Sequence, residues 1–306
     1  VNAPSPTIVA APQRRQVRLA TVVQFALLTL IWGSTWLVIK GQLGLVPVPW
    51  SVSYRFLCAG LVMAALALVL GKSLRLPAAG YAFAAIVALL QFCLNFNLVY
   101  EAERHVTSGL VALIFALLIV PNTLLARIFL GQRIAPMFVV GSALGIAGVA
   151  LLVGRDLDLR GSEVVLGLAL GIVGMLCASV GNVMQGTRLG HSMALEPLLA
   201  TTMIFGGLIS ASWAWATTGA PVAELRFTYL GGIAYLAIVA SALAFRLYYS
   251  LIRELGPGRA GYVNVIVPVV AMSLSTVFEG FLWTWSAAAG AALALTGLVI
   301  ALRSRA

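Results

Sequence analysis

Ten long apolar blocks, separated by short polar breaks, account for nearly the whole chain. They occupy approximately residues 20–39, 50–70, 79–99, 105–126, 136–153, 164–186, 197–217, 228–250, 260–278 and 284–302. At 1.5 Å per helical residue, a block of about 20 spans the roughly 30 Å hydrocarbon core of a bilayer. The strands of a membrane β-barrel are about half that length and alternate in polarity, which these blocks do not. The pattern predicts an all-α integral membrane protein with ten transmembrane helices.

Polar positions inside the blocks recur at helical spacing. Thr29, Trp32, Thr35 and Trp36 share one face of the first helix, and Gln91 and Asn95 share one face of the third, with Tyr100 near its end. The sixth carries Ser179, Asn182 and Gln185; the eighth and ninth carry Ser241, Tyr248, Tyr249, Tyr262 and Asn264. An amide turned toward lipid is costly unless paired, so these groups are expected to face the interior of the bundle. Two accounts compete there, hydrogen bonds between helices and the lining of a binding cavity. For aromatics near block ends, anchoring at the membrane interface is a third. Trp32 lies deeper than such a belt.

The order of special residues suggests two related halves. Pro121 in the fourth block and Pro268 in the ninth are 147 residues apart, and eleven residues after each stands Gln132 or Glu279. Gly141 and Gly148 in the fifth block match Gly290 and Gly297 in the tenth at the same spacing. A unit of five helices is odd-numbered, so its second copy enters the membrane from the opposite side. The expected organisation is a basic tail over 1–18, a first five-helix unit over 19–153 and a second, inverted one over 154–306. Inverted repeats are a recurrent build of secondary transporters. The two prolines each remove a backbone hydrogen bond and are candidate hinges; a static kink is the plainer account. The small-xxx-small pairs Gly141/Gly145 and Gly167/Gly171 suit close helix packing, within one bundle or between protomers, so monomer and homodimer are not distinguished.

Composition agrees with the pattern. Of 306 residues, 61% are hydrophobic and 9% charged, against about 25% charged in soluble domains. The formal charge of +10 is spread between blocks instead of forming the basic face that nucleic acid requires, so no nucleic-acid partner is expected. With the N-terminus inside, cytoplasmic segments collect Arg14, Arg15, Arg18, Lys72, Arg75, Arg127, Arg133, Arg188, Arg253, Arg259, Arg303 and Arg305. The outer ones collect only Lys40, Arg104, Arg155, Arg160 and Arg226. That asymmetry predicts that both termini are cytoplasmic; the expected location is a bacterial-type inner membrane. The first block is full span length and lacks a convincing cleavage site, which argues against a signal peptide. Cys58, Cys93 and Cys177 follow no metal or redox spacing, and neither a metal nor a cofactor is expected.

Several motifs then suggest a family. Trp32-Gly33-Ser34-Thr35-Trp36 and Tyr54-Arg55-Phe56 resemble the opening of the EamA branch of the drug/metabolite transporter superfamily. So do Pro121 with Leu130-Gly131-Gln132-Arg133, and Leu255-Gly256-Pro257-Gly258-Arg259-Ala260 with Pro268 and Glu279. Gln132 departs from the pattern, which has glutamate there. The resemblance covers nearly the whole chain from about residue 20 and is nearest to amino-acid exporters of the YddG type. It implies ten helices around a central cavity, alternating access, and a small metabolite as substrate.

The residues constrain mechanism further. Gly71-Lys72-Ser73 lacks the upstream glycine of a phosphate loop, where Leu66 stands. All nine acids fall in loops or at block ends, so no buried acidic relay is expected; facilitated diffusion is the reading this favours, with coupling through a group such as His105 as the alternative. Arg55 and Arg246 either snorkel or attract a substrate carboxylate. Candidate cavity residues are Trp32, Thr35, Gln91, Asn95, Tyr100, Ser179, Asn182, Arg246, Tyr249, Tyr262 and Asn264, with Pro121 and Pro268 as hinges. Amides, hydroxyls and aromatic walls suit neutral and aromatic amino acids; phosphorylated substrates would call for central basic residues. No enzymatic motif is found, and a sensor or a channel remains the rival to a carrier.

Overall fold

The computed structural model describes residues 19–156, 162–261, 263–280 and 282–303. The expected tail over 1–18 and Tyr262 lie outside them. Each of the ten apolar blocks is helical: α1 (Leu19–Lys40), α2 (Val48–Val69), α3 (Ala78–His105), α4 (Ser108–Leu130), α5 (Pro136–Asp156), α6 (Ser162–Gln185), α7 (Leu195–Thr218), α8 (Phe227–Leu255), α9 (Val263–Phe278) and α10 (Trp285–Arg303). Seven of them, α1 to α4 and α6 to α8, are long and apolar enough to cross a membrane.

Three helices are interrupted, each in a way that positions side chains. In α3 the segment Ala88–Leu94 is π-helical, and in α8 so is Tyr235–Leu243; the two begin 147 residues apart, the offset that separates the two prolines. A π turn inserts an extra residue and rotates the side chains after it about the helix axis, and such turns gather at functional sites. The helix α4 breaks into Ser108–Ala116 and Ile119–Leu130. Pro121 explains the break: it has no N–H to offer the Leu117 carbonyl, which Val120 takes instead at 2.9 Å. Pro268, by contrast, lies inside the continuous helix α9.

Glycines let the helices approach to backbone contact. A Cβ on Gly148 of α5 would lie 2.7 Å from the Gly290 oxygen of α10, and one on Gly297 would lie 2.5 Å from the Gly141 oxygen. The contacts are reciprocal, so α5 and α10 pack antiparallel about a local pseudo-dyad. The pair α2 and α7 repeats the arrangement, with Gly60 against Ile204 and Gly207 against Leu57. Between lipid-facing helices such van der Waals packing, not burial from water, holds the bundle together. The outward positions are themselves apolar, among them Leu30, Leu61, Ile128, Phe129 and Phe227.

The interior has a cluster of aromatic rings. Phe56, Phe92, Phe96 and Phe245 stack edge-on or tilted at centroid distances of 4.7 to 6.1 Å.

Candidate functional site

A cavity of about 70 Å³ opens at the centre of the bundle. Its wall takes side chains from α1, α2, α3, α4, α6, α8 and α9. Of the residues expected from sequence, Trp32, Thr35, Gln91, Asn95, Asn182 and Asn264 meet on it. Gln91 lies in the π-helical turn of α3 and Asn95 just after it.

Others lie elsewhere. Tyr100 is buried and donates to Gln42 Oε1 at 3.3 Å. Ser179 and Tyr249 are buried within the helix packing, the Tyr249 ring edge-on to Phe245 at 5.6 Å. Arg246 points to the start of α7, where its Nε donates to Glu196 Oε1 at 3.1 Å. Lys72 reaches the other oxygen of the same carboxylate at 2.5 Å.

The polar atoms of the wall are mostly unspent. Trp36 Nε1, Arg55 Nη1, Gln91 Oε1, Asn95 Oδ1, Asn182 Oδ1, Tyr248 Oη and Asn264 Nδ2 are buried and make no well-formed hydrogen bond among the described residues, and all seven residues line the cavity. Buried polar groups normally have partners because leaving one bare costs about 1–3 kcal/mol. Seven such atoms gather around this one space.

Arg55 is the charged member. Its side chain is 0% exposed, so it does not snorkel to the membrane surface. Its Nε donates to Ser241 Oγ of α8 at 2.9 Å, and its guanidinium lies 4.4 Å from the Phe96 ring centroid. These contacts hold the group in place and leave Nη1 bare. The signature Tyr54-Arg55-Phe56 brought Arg55 to notice; nothing in the sequence distinguished Phe96, Phe115 or Phe245, which complete the wall, from ordinary core. Trp32 donates to the Ala240 oxygen at 3.3 Å and packs edge-on against Tyr248 at 4.8 Å.

The acids differ from expectation. Glu103 is 0% exposed within α3, and Glu196 is buried at the start of α7. The block read as ending near 99 continues to His105, which carries Glu103 into the packed interior. His105 itself is held by Glu163, 2.6 Å from its Nδ1. Among the described residues no group of His, Cys, Asp and Glu could hold a metal ion.

Comparison with known proteins accords with this architecture. The model of the EamA-like transporter family matches the chain twice, over 19–154 and 165–303, and the chain belongs to that family, within the drug/metabolite transporter superfamily. It is 30% identical over 259 residues to YedA of Escherichia coli (strain K12), described as an uncharacterized inner membrane transporter, covering 83% of this chain and 81% of that one. A probable amino-acid metabolite efflux pump of the same organism is 25% identical over 293 residues, covering 90% and 92%. A crystal structure superposes with a TM-score of 0.70 at 20% identity, covering 92% of this chain and 96% of its own; it shares the fold.

Proposed function

We propose that this protein is a secondary transporter that exports small zwitterionic metabolites, foremost neutral and aromatic amino acids, by alternating access. The observation that carries the reading is the set of bare polar atoms around the cavity. Arg55 Nη1 and Trp36 Nε1 offer donors for a carboxylate, while Gln91, Asn95 and Asn182 offer amide oxygens for an ammonium. The rings of Trp32, Phe115 and Phe245 line the same space and accommodate an apolar side chain. Export of amino-acid metabolites is also what the name of the Escherichia coli relative states for that protein.

The architecture we assign is ten transmembrane helices in two inverted five-helix units around the cavity, 19–153 and 154–306, in a bacterial inner membrane with both termini cytoplasmic. The doubled family match, the common offset of 147 between prolines and between π turns, and the reciprocal glycine contacts support it. Movement is assigned to α4 and α9 at Pro121 and Pro268. The preference for facilitated diffusion rests on an interior without acids, and buried Glu103 removes that premise.

The test is a flux assay on the purified protein in liposomes with a panel of radiolabelled amino acids. Saturable uptake, competed by one or a few members, is the expected result. Linear, uncompeted flux makes the protein a channel; no flux with any member favours a sensor and rejects the carrier.

A further inference from the structure

Glu103 has no role in the wall of the cavity, yet its position is unusual. Its side chain is wholly buried, and neither carboxyl oxygen meets a donor among the described residues. An ionised carboxylate in such a place is unstable unless a cation pairs with it; otherwise the group keeps its proton. The cation at hand is Lys40 of α1, but its ammonium donates to the backbone oxygens of Glu103 and, at 3.1 Å, of Val106. Lysine thus caps the end of α3 and leaves the carboxyl beside it without a partner.

We propose that Glu103 is a proton-binding site, occupied in this conformation, whose occupancy is linked to substrate binding at Arg55. The linkage rests on the substrate reading above; the proton site does not. Glu103 stands one turn beyond Val99, a wall residue on the same face of α3. The charged groups that act on it are Lys40 from α1, Arg55 from α2 and Glu279 after α9, together with the Tyr100 hydroxyl of its own helix. The helix α4 presents Ser108, whose hydroxyl donates to Glu279. The charged group of α6 is Glu163, engaged with His105, while Arg104 is engaged with Glu101 at 3.3 Å.

When the carboxyl releases its proton to water, the Lys40 ammonium leaves the two backbone oxygens for the new carboxylate. The ends of α1, α3 and α4 are then rearranged, so the two protonation states favour two arrangements of the bundle. A substrate carboxylate on Arg55 neutralises a cation that favours ionised Glu103. Substrate and proton therefore strengthen each other's binding, reciprocally.

Two measurements decide the matter. Infrared difference spectra of wild type minus Glu103→Gln at neutral pH should carry the C=O band of one protonated carboxyl. Its absence overturns the proton site whatever the flux assay gives. Where the glutamine variant does not fold, loss of that band in wild type on raising the pH is the expected result, and no band at any pH is the contrary one. In liposomes, the half-saturation constant of wild type for the best substrate of the panel should rise with pH, by up to roughly tenfold per pH unit. That of Glu103→Gln, which keeps the shape without the proton, should be flat. Equal pH dependence in the two overturns the linkage. Absence of all flux rejects the transport reading and leaves the infrared band to decide the proton site.

Discussion

Glu196 and Glu103 are both buried acids near helix ends, and the bundle treats them in opposite ways. Glu196, 3% exposed in its side chain, holds Arg246 and Lys72 on its two oxygens and so ties the start of α7 to α8 and to the segment after α2. Glu103 is as deeply buried, and its carboxyl holds nothing among the described residues, while Arg55 and the amides of Gln91, Asn95 and Asn182 also keep atoms unpaired. The first arrangement satisfies its charges and acts as a staple. The second leaves polar groups bare at a cost in stability, a cost that the proposed guest and proton would offset.

If that contrast is right, variants at the two places should separate function from stability. The largest effect is expected for Arg55→Met. Substrate affinity in the flux assay should fall roughly 10- to 100-fold, the equivalent of about 1.5–3 kcal/mol for hydrogen bonds to a charged group. Thermal stability in detergent should hold or rise, because a buried charge gives way to an apolar side chain. A lower melting temperature with unchanged affinity would make Arg55 a staple like Glu196.

Glu196→Gln should show the reverse. The variant leaves two cations without their partner, but Lys72 and Arg246 are each 39% exposed, so solvent screens much of the loss. About 1–2 kcal/mol of stability should go, read as a lower melting temperature, with affinity intact below the transition. Unfolding at neutral pH identical to wild type removes the staple from the account.

Lys40→Met is the intermediate case. Losing the cap on α3 should cost about 0.3–1 kcal/mol, and Glu103 should retain its infrared carboxyl band, since Lys40 is not its partner here. Absence of the band in wild type with its appearance in Lys40→Met would show that the two are an ion pair after all.

The smallest effect belongs to an exposed pair. Glu224 accepts from the Arg226 backbone N–H and guanidinium, both at 2.9 Å, and the guanidinium holds its carboxyl below the usual range. A depressed carboxyl stabilises the fold above its unfolded value of about 4.3, and that contribution fades as pH falls through the folded value. Because the Arg226 side chain is 60% exposed and solvent screens the pair, Glu224→Gln should leave melting at pH 7 unchanged; a measurable drop would mean that this loop bears on the bundle.

Much of the fold is legible in the hydropathy of the chain. The apolar blocks located the ten long helices because a lipid-facing helix must be apolar for its full length; the short helices Arg188–Ser192 and Pro257–Ala260 lie in the breaks between blocks. The spacing of Trp32 and Thr35, and of Gln91 and Asn95, located part of the cavity, since amides and hydroxyls cannot face hydrocarbon unpaired. Arg246 shows the limit of that argument. A cation within a block needs a partner, but which one it finds depends on a carboxylate 50 residues away.

The sequence by itself determined the class of protein, its helices and the common offset between its halves, because these are consequences of hydropathy and of the order of prolines and glycines along one chain. Only the tertiary structure decided which polar groups meet and which remain bare. Glu103 looked like a residue of a loop because hydropathy ends near 99, yet neighbouring helices, not lipid, exclude water from it. Burial by other segments, and the partners it supplies or withholds, is a property of packing in three dimensions that no local pattern records.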